Sequence, residues 1–301
     1  MVVGFEAVKS SILEQFSSNR LHHALLLHGQ KGIGKASFAK ALVKEILDIK
    51  NAFHPDLLLV EKELEKKEIT VDKIRKISVF TNQTSAISPH RFIIIDSACE
   101  LNRSAGNALL KILEEPNRNI FLILISHNLS RILPTIKSRC QIIKIPNLSL
   151  KNFAEILRAK NPRISVSDLQ FLSEISNNSA ADAINFGSDL ARFYELFLRS
   201  ILNKRIGEEL LKKISDKNFS FVIFEKIFEF FIGRLCKFST KGEVAFFFDE
   251  AEVFLNLTQK LPVKKIFVIA DEALNLLRKT SPMNLDKKLS FINIFNLITH
   301  D

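Results

Sequence analysis

Five short, almost wholly apolar runs punctuate the first half of the chain: HALLLHG (23–29), DLLLVE (56–61), RFIIID (91–96), FLILIS (121–126) and QIIKI (141–145). A strand that is apolar at nearly every position must be covered on both faces, as in a parallel sheet flanked by helices. The stretches between the runs have helical spacing. Phe38, Ala39, Leu42, Val43 and Ile46 share one face after the first run. ITVDKIRKI (69–77) offers Thr70 as an N-cap, with Ile69 and Ile74 as a hydrophobic staple. A third helical stretch runs from Asn102 to Glu115 and is stopped by Pro116. Strand–helix alternation predicts right-handed βαβ units, hence an α/β core with a five-stranded parallel sheet and a ligand crevice at the carboxyl ends of its strands.

After Pro146 the texture becomes all-helical. SLKNFAEILRAKN (149–161), SVSDLQFLSEISN (165–177) and SAADAINFGSD (179–189) read as three short helices bounded by Ser and Asn. Longer helices follow from about residue 190. There Phe221, Phe224, Phe228 and Phe231 recur at helical spacing, continued by Leu235. Such a stripe serves either a core or a subunit-packing bundle, and core is the commoner use. The expected division is an α/β module over 1–147, a small three-helix lid over 148–189 and a helical collar over 190–301.

The bulk properties exclude several classes. The longest apolar runs, FLILI (121–125) and VAFFF (244–248), are far too short to span a bilayer. The start, MVVGFEAVKSS, has no cleavable apolar region. Cys99, Cys140 and Cys236 are far apart with no CxxC pair, which argues against a zinc knuckle or disulfide framework and for a reducing, cytoplasmic setting. The net charge is +10: residues 1–150 carry 21 Lys+Arg against 14 Asp+Glu, and residues 151–301 carry 22 against 19. That balance suits a polyanionic partner and equally suits a lysine-rich surface.

GQKGIGKAS (29–37) follows the first apolar run and opens a helix, the context that a phosphate-binding loop needs. Gly29, Gly32 and Gly34 would let backbone N–H groups curl round phosphates, and Lys35 would reach the terminal ones. The next position calls for a hydroxyl to hold Mg²⁺, and Ala36 has none. RFIIIDS supplies Asp96 where a carboxylate would support the metal shell. In hydrolysing members of the additional-strand ATPases the following residue is an acid that orients water. Here it is Ser97, which cannot carry that charge. Ser126, at the end of FLILIS, is the candidate phosphate sensor. Ser138-Arg139-Cys140 precedes the last run, and a planar guanidinium at a module edge suits phosphate oxygens, although by spacing alone a surface arginine is the commoner role.

Taken together, LHHALLLHGQKGIGKASFAKAL, HPDLLLVE (54–61), ITVDKIRKI, IIIDSACELNRSAGNALLKILEEP (93–116) and LPTIKSRCQIIKI (133–145) resemble the delta-prime family of subunits of the bacterial DNA polymerase III clamp loader. The match covers about the first half of the chain. MNLDKKLSFINIF (283–295) resembles that family's last helix. The resemblance implies an AAA+ P-loop module, a lid and an oligomerising collar. It implies hetero-oligomeric partnership with gamma/tau motor subunits, a delta subunit and the sliding clamp, with primer–template DNA in the assembled complex and no membrane. The chain would be an accessory subunit of the polymerase in DNA replication, without ATP hydrolysis of its own. Arg139 would act as an arginine finger in trans on a neighbour's ATP. Lys73, Lys76 and Arg103, near two helix N-termini, would face DNA phosphates. The alternative is an active gamma/tau-type motor. ATP or ADP binding is compatible with the loop, though no cofactor is required. The family's four-cysteine zinc module is absent, since ILDIKNAFHPD runs straight through, so no metal is expected. Asp182 in NSAADA (178–183) stands where the family's lid has a sensor arginine.

Overall fold

The computed structural model describes residues 3–49, 54–63, 66, 68–82, 86–117, 119–216, 220–280, 283 and 285–299. Residues 50–53, within the cysteine-free passage from the phosphate loop to HPD, lie outside them. By contacts the chain divides into two compact units, 1–156 with 178–181, and 157–177 with 182–301.

The first unit opens with helix α1 (Glu6–Ser17). It continues β1 (Ala24–His28), α2 (Lys35–Ile46), β2 (Leu57–Val60), α3 (Val71–Thr81), β3 (Arg91–Ile95), α4 (Arg103–Glu114), β4 (Ile120–Ser126), the one-turn α5 (Pro134–Lys137) and β5 (Gln141–Lys144). The five strands fall inside or within one residue of the five apolar runs. They form one parallel sheet in the order β2-β3-β4-β1-β5. β4 therefore separates β1 from β3, and the ends of all three point into one crevice. Leu25 to Leu27, Phe92 to Ile95 and Leu122 to Ile125 are buried, as expected for strands sandwiched between helices. Each such side chain contributes about 1.5–3 kcal/mol of burial.

Two details locate the helices on this sheet. Ile69 and Leu101 form an isolated parallel bridge, with Ile69 N–H donating to Glu100 O (2.7 Å) and Asn102 N–H to Ile69 O (3.1 Å). This pins the N-termini of α3 and α4 side by side. Asn102 caps α4 by accepting from Ala105 N–H. Thr70 precedes α3 but its side chain makes no capping bond; its carbonyl accepts from Lys73 N–H instead. The staple residues Ile69 and Ile74 are both buried.

Asp56 explains the HPD motif. It is fully buried, and its two oxygens accept from the N–H groups of Ala86, Ile87 and Ser88 at 2.8–2.9 Å. Arg91 lies 3.5 Å from it and stacks on the Phe80 ring. Burial pushes the Asp56 carboxyl up, but the three N–H groups and His54 outweigh it and hold it below the ordinary range.

In the second half, α6 (Leu150–Lys160), α7 (Val166–Ile175) and α8 (Ala180–Leu202) cover the three short helical stretches. The third ends at a kink at Gly187, whose φ of 55° and ψ of −153° suit glycine alone, and a second helical piece of α8 runs from there to Leu202. α9 (Glu208–Ser215), α10 (Phe221–Lys241), α11 (Glu250–Lys260), α12 (Val263–Thr280) and α13 (Lys287–Thr299) complete the second unit. Phe221, Phe224, Phe228, Phe231 and Leu235 are all buried, so the stripe on α10 is core. A buried carboxylate, Glu250, accepts from Tyr194 Oη, Arg234 and Phe247 N–H and ties α8, α10 and α11 together.

Asp56→Ala should destabilise the chain by about 3–5 kcal/mol, because it strands three buried N–H groups and Arg91. Urea denaturation checks this. A loss below about 1 kcal/mol would mean that the 86–88 loop finds other partners.

Candidate functional site

The glycine loop leaves β1 and closes on α2. Gly29 N–H donates to Ser126 O at the end of β4 (3.3 Å), and a Cβ on Gly29 would lie 2.6 Å from Ile145 O. Gly34 has a φ of 98° and precedes the first residue of α2. Gly32 has a φ of 78°, and a Cβ there would lie 2.0 Å from Ser179 Oγ. Gly32 O also accepts from Ala181 N–H (3.0 Å). Residues 178–181 thus lie directly on the loop, and only glycine fits beneath them.

Lys35 is 6% exposed. Its ammonium donates to Gly29 O (2.8 Å) and to Gln30 O, so the loop's own carbonyls solvate it. Burial pulls the amine down to about 8, against the opposite pull of Asp96 and Cys99. Ala36 turns a methyl group where a metal-holding hydroxyl would stand.

Asp96 ends β3, with its N–H donating to Val60 O. Burial raises its carboxyl above the ordinary range, and Glu61 adds to this; Lys40 and Ser97 work the other way. Lys40 is itself paired with Glu61 at 2.7 Å. Ser97 occupies the left-handed region (φ 61°, ψ 50°) and directs its hydroxyl to Asp96 Oδ1 (3.4 Å). Ser126 is buried at the end of β4, where its Oγ accepts from Asn128 N–H. The structure therefore brings Gly29, Gly32, Gly34, Lys35, Asp96 and Ser126 to one end of the sheet.

Several groups at this end escaped the sequence reading. His127 stands 3.3 Å from the buried Cys99 thiol. Burial lowers the His127 pKa, as do Lys31, Lys35 and Arg131, with Glu100 opposing. His28 is lowered by burial, Lys144 and Lys35. The crevice thus carries a positive field from several directions, which favours anions. No local pattern marks these residues, because they converge from different loops. Asp182, by contrast, pairs with Lys226 at 2.7 Å in the second unit. Among the described residues no group of three or more His, Cys, Asp or Glu could hold a metal ion, and no helix is long and apolar enough to cross a membrane.

Arg139 lies elsewhere, between α5 and the edge strand β5. Its side chain is 36% exposed, with Nη2 2.8 Å from Glu114 Oε1 and Nη1 donating to Thr135 O (3.0 Å). Lys73 and Lys76 sit on the first turns of α3 and Arg103 opens α4, at the pinned pair of N-termini. Lys76 and Arg103 are exposed, whereas Lys73 pairs with Glu63 at 3.2 Å.

Residues 5–149 match the family model described as DNA polymerase III, delta subunit. Among curated relatives, the DNA polymerase III subunit delta′ of Pseudomonas aeruginosa is 38% identical over 135 residues, 39% of this chain and 41% of that protein. The DNA polymerase III subunit gamma of Buchnera aphidicola subsp. Schizaphis graminum is 29% identical over 205 residues, 61% of this chain and 56% of that protein. The chain thus matches less than two thirds of the length of either relative. A solved DNA polymerase III gamma subunit-related protein from Thermotoga maritima superposes with a TM-score of 0.53 at 20% identity, over 98% of both chains, and so shares the fold.

Lys35 generates a pH prediction. Its amine titrates near 8 in the fold and at the ordinary 10.5 when unfolded. Between these values the unfolded chain binds more protons, so stability at this position rises with pH across that window and is flat below it. Relative to Lys35→Met, the wild type should gain on the order of 3 kcal/mol between pH 8 and 10.5. Urea melts at several pH values test this; a constant difference between the two proteins would contradict it.

Proposed function

We propose that this chain, whose residues 5–149 match the DNA polymerase III delta-subunit family model and resemble delta′ subunits, is a non-hydrolysing clamp-loader subunit that supplies Arg139 to a neighbour's ATP. Its partners are gamma/tau-type motor subunits, a delta subunit and the sliding clamp, and the assembly loads the clamp on primed DNA. The observation that carries this reading is a contrast within one module. The chain's own crevice lacks a hydroxyl at Ala36 and an acid at Ser97, while a partly exposed guanidinium stands beside the edge strand β5. The cradle and its positive field still suit ATP or ADP, held without turnover. No resident cofactor is required. Two absent groups serve two separate steps, metal holding and water orientation, so their losses compound.

The second reading is an active motor, favoured by the similarity to a gamma subunit. Ala36 and Ser97 weigh against it. DNA contact is a subsidiary part of the proposal. The neighbouring N-termini of α3 and α4 offer N–H groups and the charges of Lys76 and Arg103, with Lys73 partly spent on Glu63.

The isolated chain should hydrolyse ATP at the background rate. Magnesium-dependent turnover abolished by Lys35→Ala would establish the motor reading instead. In the reconstituted assembly, Arg139→Ala in this chain should lower DNA- and clamp-stimulated hydrolysis, with a loss of about 10³–10⁵ at the one site that it serves and a partial loss overall. Arg139→Lys should rescue poorly, since a point charge does not reproduce the planar fork. Full activity in both variants would remove the finger role. Neutralising Lys73, Lys76 and Arg103 together should reduce the salt slope of DNA binding by up to about 3; an unchanged slope would exclude these contacts.

A further inference from the structure

Arg139 is already engaged before any neighbour arrives. One arm of its guanidinium meets Glu114 Oε1 at 2.8 Å, and the other donates to Thr135 O at 3.0 Å, with Ser138 Oγ at 3.4 Å. Glu114 is the last residue of α4, and Arg139 lies two residues beyond α5. Their meeting depends on how closely the two helices approach. Gly106 permits that approach: a Cβ there would lie 2.9 Å from Leu133 Cδ1. Ile136 of α5 is buried in the same core as Leu109 and Leu113 of α4.

The local electrostatics explain why the arginine rests here. Thr135 O is among the last carbonyls of a one-turn helix, where backbone partners run out, and it accepts from both Ser138 Oγ (3.1 Å) and Arg139. Glu114 puts a negative charge at a helix C-terminus, where the dipole already disfavours it, and a cation offsets both. The pair is nevertheless weak. Both side chains are substantially exposed, so solvent screens the interaction, and exposed pairs of this kind shift populations by about 1.4- to fivefold.

Resting on the finger reading above, we propose that Glu114 is a positioning residue that competes for Arg139, so that engagement exchanges a carboxylate for the phosphates of the neighbour's nucleotide. A terminal phosphate carries more charge than a carboxylate and accepts the same two-pronged fork, so a triphosphate wins the exchange. A diphosphate lacks the terminal group, and Glu114 recovers the arginine. The pair thereby makes finger engagement depend on the neighbour's nucleotide state and keeps its release fast.

The test uses the reconstituted assembly with substitutions in this chain alone. Glu114→Gln keeps the shape and removes the charge. With Arg139 present, it should lower the KM for ATP of the arginine-dependent activity about two- to fivefold and shift kcat by less than twofold. Glu114→Asp, which keeps the charge, should stay near the wild-type KM. In an Arg139→Ala background Glu114→Gln should have no effect. If Arg139→Ala itself leaves hydrolysis unchanged, the finger reading fails and this inference with it. If Arg139→Ala is impaired but Glu114→Gln leaves KM unchanged, the competition alone is wrong. A raised KM, a clear fall in kcat, or a KM shift that persists without Arg139 would also overturn it. Circular dichroism of each variant separates these results from loss of folding.

Discussion

Everything at the candidate site hangs from the insertion of β4 between β1 and β3. In a parallel sheet all strands end on the same side, and β4 pairs with β1 and with β3 at once. The glycine loop, Ser126 and Asp96 therefore share one edge without being adjacent in sequence. The same register ties Gly29 to Ser126 through a backbone bond. β5 closes the other side of β1 and carries Arg139 at its entrance, on the sheet's edge rather than in the crevice. One strand order thus separates the crevice at the ends of β1, β3 and β4 from the sheet edge where Arg139 lies.

The crevice gathers groups suited to an anion, while Ala36 and Ser97 stand at the two positions where a metal-holding hydroxyl and a water-orienting acid are expected. Lys35 is buried, lowered by desolvation, and solvated by two carbonyls of its own loop. Lys31, Arg131 and Lys144 contribute a field of the same sign, which with burial disfavours the charged forms of His28 and His127. Asp96 is the remaining carboxylate of the motif, and burial makes it a weaker acid than an ordinary aspartate. With a methyl group at Ala36 and a hydroxyl spent on Asp96 at Ser97, neither expected metal or water contact has its usual donor. Residues 178–181 then cover Gly32 so closely that a single added methyl would collide.

How much of this could be read in advance follows from the range of each interaction. The five strands were legible to within a residue or two, because burial on both faces leaves near-continuous apolar runs. The phenylalanine stripe of α10 was legible for the related reason that one helical face must be dry. Thr70 takes the N-cap position of α3 as its sequence suggests, but its hydroxyl makes no capping bond, and the bridge from Ile69 to Leu101 holds the chain there. The end of the third short helix was legible, because Gly187 takes a backbone conformation that breaks α8 close to residue 189. Polar partnerships between distant segments left no signal. Asp56 with residues 86–88, Ser179 over Gly32, Cys99 with His127 and Glu114 with Arg139 have no periodicity and no fixed spacing, so only the fold reveals them.

The proposed division of labour, a silent site and an arginine acting on a neighbour, is tested most directly by counting. In single-turnover ATP hydrolysis by the reconstituted assembly, the fast phase reports how many sites are catalytically complete. With Arg139→Ala in this chain alone, the account predicts that one site's worth of amplitude moves from the fast phase to a slow one, while the remaining amplitude keeps its rate. An unchanged fast-phase amplitude would contradict it.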